Sequence, residues 1–252
     1  MAARRDPISR RERPAKPALS RGWIVDTAVA IMRAEGLEKV TMRRLAKELD
    51  TGPASLYVYV ANTAELHAAV LDALLGEVDL DAADAADAAD AADAADAADA
   101  AGDWRGQLRA VLTSYTLVLF AHPQLARSAL VARPSGQNYL RLVERVLGLL
   151  ARSGAPRAQV AWGVDMLLQH ATATAAEHST QEHDPTSDDD WNATVRALRE
   201  ADGTTHPAIA SHLTVLTSGS VQDRMGWFFD VLVNGITGTP VPGTGDRVDA
   251  VG

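Results

Sequence analysis

The sequence predicts an all-α fold, with a small helical domain near the N-terminus and a larger one after it. Hydrophobic residues make up 47% of the 252 residues and aromatic residues only 5%, so the apolar content is mostly Ala, Leu and Val. Ala and Leu favour helix. From residue 20 onward, apolar residues recur every three or four positions, which is the spacing of a helix with one buried face. Glycine and proline interrupt this pattern where helices would end.

We expect five consecutive regions. A basic, Pro-rich arm comes first, then a helical domain, an Asp-Ala-Ala repeat, a second helical domain and a tail rich in Gly and Pro. The predicted boundaries are 1–19 for the disordered arm, 20–76 for the N-terminal domain, 77–103 for the low-complexity linker, 104–238 for the C-terminal domain and 239–252 for the flexible tail.

Charge is distributed unevenly along the chain. The net charge is −9, which by itself argues against a nucleic-acid partner. Residues 1–60, however, contain 12 Lys and Arg against 7 Asp and Glu, and the remaining residues contain 12 against 26. A basic end can contact phosphates, while an acidic body suppresses non-specific binding to them.

Several classes of function lack their sequence signals. There is no cysteine, which excludes disulfides and thiolate metal sites and fits a reducing compartment. The first twenty residues lack the apolar stretch of a secretory signal, and no apolar run is long enough to cross a bilayer. No nucleophile elbow, phosphate loop, dinucleotide fingerprint or zinc-spaced histidines are present. We therefore expect a cytoplasmic protein that is not an enzyme and has no cofactor.

Capping residues mark four predicted helices in the N-terminal domain. A glycine that suits a C-terminal cap ends the first helix, and a turn containing glycine joins the second helix to the third. The capping or first-position residues are Ser20, Thr41, Pro53, and Asn62 or Thr63; the first helix ends at Gly36 and the third near Tyr59.

Residues 41–59 have the pattern of a helix-turn-helix, in which two short helices flank a turn of three or four residues. Arg43 and Arg44 stand near the start of the first helix, where they could contact phosphates. The second helix buries Leu56. Its other side chains, which would face a DNA groove and backbone, are Ala54, Ser55, Tyr57 and Val58. Plain helical corners share this spacing, so the pattern alone leaves both interpretations open.

The Asp-Ala-Ala triplet is repeated seven times from Asp81. A period of three in a helix of 3.6 residues per turn moves each Asp by about 60° round the axis, so the repeat has no apolar face. We expect an expanded linker. The alternatives are an acidic mimic of DNA and a calcium-binding tract, although the repeat lacks the Gly and the terminal Glu of a calcium loop.

Five further helices are predicted from Trp104 onward, on the spacing of apolar residues and the interruptions by Pro and Gly. The polar residues 179–206 predict a long loop with one short helix near residues 191–201. The five helices are expected near residues 104–121, 123–132, 136–153, 156–178 and 220–237.

Residues 20–76 resemble the DNA-binding domain of the TetR family of transcriptional regulators. More weakly, residues 224–236 resemble the last helix of the subgroup that contains the tetracycline repressors. The matching features of the first domain are an apolar helix that ends at Glu35-Gly36, TMRRLA at 41–46, GPASLY at 52–57, and Asn62 with Leu66. The resemblance implies a homodimeric regulator, by default a repressor that a small molecule releases from double-stranded operator DNA.

By this resemblance, DNA is contacted from the start of the second helix, the recognition helix and the start of the fourth helix. The expected DNA-binding residues are Thr41, Arg43, Arg44, Thr51, Gly52, Pro53, Ala54, Ser55, Tyr57, Tyr59 and Thr63. Many members have a phosphate-binding Lys at the position of Thr63 and an aromatic residue at that of Val60. The operator sequence therefore does not follow from the resemblance.

The resemblance also implies a dimer interface and a ligand pocket, with plain core packing as the alternative for both. An apolar cavity with a few polar groups is the usual design of such a pocket. The expected interface residues are Trp162, Leu167, Leu168, Ala171, Trp227, Phe228, Val231 and Leu232. The expected ligand-contacting residues are Tyr115, Leu119, Phe120, His122, Tyr139, Leu142, Trp162, Met166 and His170.

A metal site and another class of protein are the remaining alternatives. His170 and His178 share a helical face but lie about 12 Å apart along the axis, too far for one ion. We therefore predict no metal ligands, while magnesium-assisted ligand binding, as in the tetracycline subgroup, stays open. A helical adaptor or binding protein without DNA activity would show the same helical pattern. Binding to DNA that weakens steeply with salt would distinguish the regulator.

Overall fold

The structure is a computed structural model that describes residues 18–81, 103–130, 134–183 and 187–243. The all-α prediction is confirmed, since every regular element in these ranges is helical. Most of the predicted arm, repeat and tail lie outside the described residues. None of the described helices combines the length and the apolar character needed to cross a membrane.

Eleven α-helices and one 3-10 helix lie within the described residues. The N-terminal elements are α1 (Arg21–Glu35), the 3-10 helix (Leu37–Lys39), α2 (Met42–Glu48), α3 (Pro53–Leu56) and α4 (Thr63–Leu75). The C-terminal elements are α5 (Trp104–Phe120), α6 (Pro123–Ala129), α7 (Gln137–Ala151), α8 (Arg157–His183), α9 (Ser187–Glu200), α10 (Pro207–Leu216) and α11 (Val221–Gly238).

The N-terminal elements α1 to α4 form a small head in which α1 packs against α4 and α2. Ser20 caps α1, with its hydroxyl accepting a hydrogen bond from the Trp23 N–H at 3.2 Å. Asn62 caps α4 in the same way, accepting from the Glu65 N–H at 2.9 Å. Ile24 of α1 is fully buried, and burial of one such side chain contributes roughly 1.5–3 kcal/mol.

The C-terminal elements form a body arranged around α8, which packs against α5, α6, α7 and α11. α8 and α11 meet closely at Gly163, where a Cβ atom would lie 2.6 Å from Cγ2 of Ile236. Beside this point, the Gln159 side-chain amide donates to the Ile236 carbonyl at 2.9 Å. A side chain at position 163 would push the two helices apart, so glycine is needed there for the close approach.

The predicted loop over residues 179–206 is mostly helical, whereas the short helix predicted within it near residues 191–201 corresponds to α9. α8 extends to His183, α9 begins at Ser187, and α10 was not predicted at all. α9 is mostly polar, so the sequence predicted only a short helix there, within a loop. α10 buries none of its own residues, although Ile209, Leu213 and Leu216 follow the spacing of one helical face.

Candidate nucleic-acid interface

α2 and the turn after it set the position of α3. Thr41 caps α2, its hydroxyl accepting from the Arg44 N–H at 3.1 Å. The chain then turns through Asp50, whose φ of 48° lies in the left-handed region that Asp tolerates better than most residues. The Thr51 N–H donates to the Ala46 carbonyl at 2.9 Å and closes the turn. The predicted helix-turn-helix geometry is therefore present.

α3 is a short helix anchored through one buried side chain. It ends at Leu56, before the predicted limit near Tyr59. Leu56 is fully buried, and Val60 one turn later is 1% exposed. Among the predicted recognition residues, Gly52, Pro53, Ala54, Ser55 and Tyr57 are exposed, whereas Thr51 and Tyr59 are half-buried. The fold thus leaves residues 52–55, 57 and 58 exposed on either side of the buried Leu56.

The two neighbouring arginines of α2 have different surroundings. The Arg44 guanidinium forms ion pairs with Glu35 and Glu48, each at 2.6 Å. Hydrogen bonding to Arg44 lowers the pKa of the Glu35 carboxyl, and the same contact raises the pKa of Arg44. Arg43 is exposed, and the described residues give it no carboxylate partner. Arg44 therefore ties α2 to α1, while Arg43 extends into solvent.

The start of α4 presents a hydroxyl in place of a cation. Thr63 is the first residue of α4 and is exposed, as is Thr41. Next to it, Glu65 accepts a hydrogen bond from the Ala61 N–H at 2.7 Å and lies 3.5 Å from the Arg21 guanidinium. The head therefore carries less positive charge at this end than at α2.

Polar contacts join the head to the body, and among the residues that make them only His122 carried a predicted role, as a ligand contact. The Leu37 N–H, just after α1, donates to Oε1 of Gln124 in α6 at 2.6 Å. Close by, Glu77 forms an ion pair with Arg33 and lies 3.9 Å from Nε2 of His122. Burial lowers the pKa of His122, with Glu77 acting in the opposite direction. The end of α1 is thus tied to the junction of α5 and α6.

A second junction joins α4 to α7. Gly136 precedes α7 and has no side chain to cap it. The Asp72 carboxylate of α4 takes that role, accepting from the Tyr139 N–H at 2.9 Å, while the Asn138 amide donates to the Asp72 carbonyl at 2.9 Å. No sequence signal linked these residues, because 64 positions separate Gly136 from Asp72.

The residues expected to contact a ligand divide between the core and the surface of one chain. Tyr115 is buried and shares a hydrogen bond of 2.7 Å with Thr172, and burial raises the pKa of its hydroxyl. Phe120 packs on the His178 ring with centroids 4.2 Å apart. Leu119 and Leu142 are buried, Phe120, His122, Tyr139 and His170 are half-buried, and Trp162 and Met166 are exposed.

α8 and α11 together present exposed apolar side chains. Trp162 is 61% and Trp227 63% exposed, and Met166, Phe228 and Val231 are exposed as well. His170 of α8 lies beside Phe228 of α11, with ring centroids 5.0 Å apart. The other residues expected at the interface are placed differently: Leu167, Leu168 and Ala171 lie in the chain's own core, and Leu232 is half-buried.

The two parts of the chain match two family descriptions. Residues 24–70 match "Bacterial regulatory proteins, tetR family". Residues 97–239 match "Tetracyclin repressor-like, C-terminal domain". The first range contains the helix-turn-helix and the second contains the helical body, in the order in which the structure has them.

Individual proteins are similar over most of the chain. The transcription regulator SCO7704 of Streptomyces coelicolor is 74% identical, with a TM-score of 0.69 over 90% of this chain and 99% of that one. ActR of the same organism is 30% identical, with a TM-score of 0.72 over 89% of this chain and 97% of its own; it has also been solved in complex with actinorhodin. The transcriptional repressor DrrR1 of Streptomyces coeruleorubidus is 28% identical over 235 residues, covering 90% of this chain and 80% of that protein. The chain belongs to the TetR family of bacterial regulatory proteins.

Proposed function

We propose that this chain is a dimeric, cytoplasmic repressor that binds operator DNA with α2 and α3 and leaves it when its body binds a small molecule. The observation that carries the proposal is the exposure of α3: Leu56 is buried, while residues 52–55 and Tyr57 face solvent. A short helix held in this way after a tight turn is the element that helix-turn-helix proteins place in the major groove.

The contacts with DNA follow from the positions of the exposed groups. α3 would face the base edges, and α2 would cross the backbone, where contacts fix the register without reading sequence. Arg43 supplies an exposed positive charge there, and Thr41 and Thr63 supply hydroxyls on either side. In this proposal, residues 20–76 act as the DNA-binding domain.

The dimer would form through the exposed face of α8 and α11. A monomeric protein rarely exposes to water an apolar patch that includes two tryptophans. A two-fold interface covers the same patch on both copies, and it would set two α3 helices about one DNA turn apart. The interface proposed here uses Trp162, Met166, Trp227, Phe228 and Val231.

The effector would bind in the body, residues 104–238. The structure of ActR in complex with actinorhodin supports a small-molecule effector for this chain. Tyr115, Tyr139 and His170 supply polar atoms among Leu119, Leu142 and Phe120, a combination that suits a mostly apolar ligand with a few polar groups. A ligand that binds better to the dimer form in which the α3 helices cannot fit DNA would shift the population away from the operator.

Selection of duplexes from a random-sequence library by the purified chain, followed by footprinting, tests the proposal. We expect a protected site with two-fold symmetry and an affinity that falls steeply with salt. Tyr57→Ala should weaken binding by roughly tenfold. Trp191→Ala, which truncates a similarly exposed aromatic residue of α9, should not. Failure to enrich any duplex would contradict the proposed function.

A further inference from the structure

We infer that α3 recognises thymine bases by their 5-methyl groups, which meet Ala54 and Val58 in the major groove. The inference rests on the proposed function and specifies the kind of operator that the head would select. Its half-sites would carry thymines at the positions that face the centre of α3. Apolar contact with those methyl groups would supply most of the base selectivity of this helix.

The first argument is chemical. Residues 51–60 contain no Arg, Lys, His, Asn, Gln, Asp or Glu. Bidentate contacts to guanine need Arg or Lys, and those to adenine need Asn or Gln. The only side-chain hydrogen-bonding groups in this stretch are the hydroxyls of Thr51, Ser55, Tyr57 and Tyr59. The helix therefore lacks the groups that read purines through paired hydrogen bonds.

The second argument is geometric. Successive residues of a helix are about 100° apart, and the helical path continues past Leu56, since the Val60 N–H donates to the Leu56 carbonyl at 3.0 Å. With Leu56 pointing into the head, Ala54 and Val58 lie roughly 160° away from it on either side. Both side chains are exposed, and Val58 is 80% exposed, more than any other large hydrophobic residue described. Two apolar side chains thus occupy the centre of the outward face.

The third argument is complementarity. The thymine methyl is the apolar group that a base edge offers in the major groove, and small apolar side chains are its usual partners. Contact with it would remove Val58 from water, which favours the complex. Arg43 lies on α2 and would contact the backbone, so it would add affinity that is the same for every sequence.

Replacement of thymine by deoxyuridine in the selected duplex tests the inference. Deoxyuridine keeps every hydrogen-bonding group of thymine and lacks only the methyl. At each contacted position we expect binding to weaken by roughly threefold to fivefold, the effect of one buried group of that size. Substitution in both half-sites should cost roughly tenfold or more, and substitution outside the footprint should have no effect.

Val58→Ala links the effect to this helix. Because Val58 is exposed, its truncation should leave the thermal unfolding of the chain unchanged, while the deoxyuridine penalty at one position per half-site should fall below roughly twofold. Val215→Ala is the matched control, since Val215 is a 71% exposed valine of α10. This variant should keep the full penalty.

The outcomes separate the two proposals. If no duplex is enriched, the proposed function fails and the inference fails with it. If a symmetric duplex is enriched but binds equally well with every thymine replaced by deoxyuridine, the inference alone is overturned. A penalty that is the same in Val58→Ala, Ala54→Gly and the unchanged chain would also overturn it.

Discussion

Arg43 and Arg44 are adjacent in the sequence but should respond differently to mutation. Arg43→Ala removes an exposed charge, so we expect the slope of log affinity against log salt to fall by about one per subunit, with no change in the unfolding midpoint. Arg44→Ala removes the ion pair with Glu35 that ties α2 to α1, together with the ion pair to Glu48 within α2, and should lower the midpoint of thermal unfolding. Binding over a salt series and thermal melts measure the two effects; equal salt slopes for both variants would contradict this assignment.

Sequence resemblance alone could not have distinguished these two residues. The resemblance predicted that both arginines contact DNA, because it transfers the position of a residue and not its hydrogen-bond or ion-pair partners. Glu48 is one helical turn from Arg44 and could be expected beside it. Glu35, however, lies on another helix and reaches Arg44 only because α1 packs against α2. The pairing is a consequence of tertiary structure, and no local sequence signal predicts it.

The capping of α7 by α4 makes Gly136 a sensitive position. A Cβ atom there would lie 2.1 Å from Cγ of Asp72, so Gly136→Ala should displace the capping carboxylate and cost about 1–3 kcal/mol of unfolding free energy. Gly148→Ala is the matched control within α7, because a Cβ atom at position 148 meets nothing within 4 Å. It should stabilise the helix by about 0.5–1 kcal/mol. Urea unfolding at one fixed protein concentration compares them, and equal midpoints would refute the capping role.

Whole helices were predictable where each had one buried face and clear ends. α1 combines a capping Ser20 with a glycine after its last turn, and its predicted limits agree with the structure to within one residue. α10 is the opposite case, since it has neither a buried face nor a capping side chain at its start. The contact between α4 and α7 was beyond prediction for another reason: Asp72 caps a helix that begins 65 positions later.

At the scale of the whole molecule, the contacts between head and body are the feature that a regulator needs. They are also the feature that could least be predicted from the sequence. The Leu37 N–H and Gln124 Oε1 are partners across 87 positions. Glu77, just after α4, contacts Arg33 of α1 and His122, which lies between α5 and α6. Movement of the junction between α5 and α6 would therefore displace the end of α1, and α1 packs against α2. The helix-turn-helix could be predicted locally, but this coupling depends on how distant segments pack.

Two half-buried histidines of the body make the stability of the molecule sensitive to acid. Burial lowers the pKa of both His122 and His170 below the ordinary value of 6.5, so the unfolded chain binds more protons than the folded chain as the pH falls through that value. Stability is then full above it and declines below. The carboxyls whose pKa is lowered, such as Glu35, stay ionised until the pH falls below 4.5, so they do not contribute over this range.

We expect the unfolding midpoint to fall between about pH 7 and pH 5.5, and to fall less in His122→Asn and His170→Asn. His212→Asn, at an exposed position of α10, should behave like the unchanged chain, and a midpoint that rises in acid would show that the histidines are not held neutral by burial.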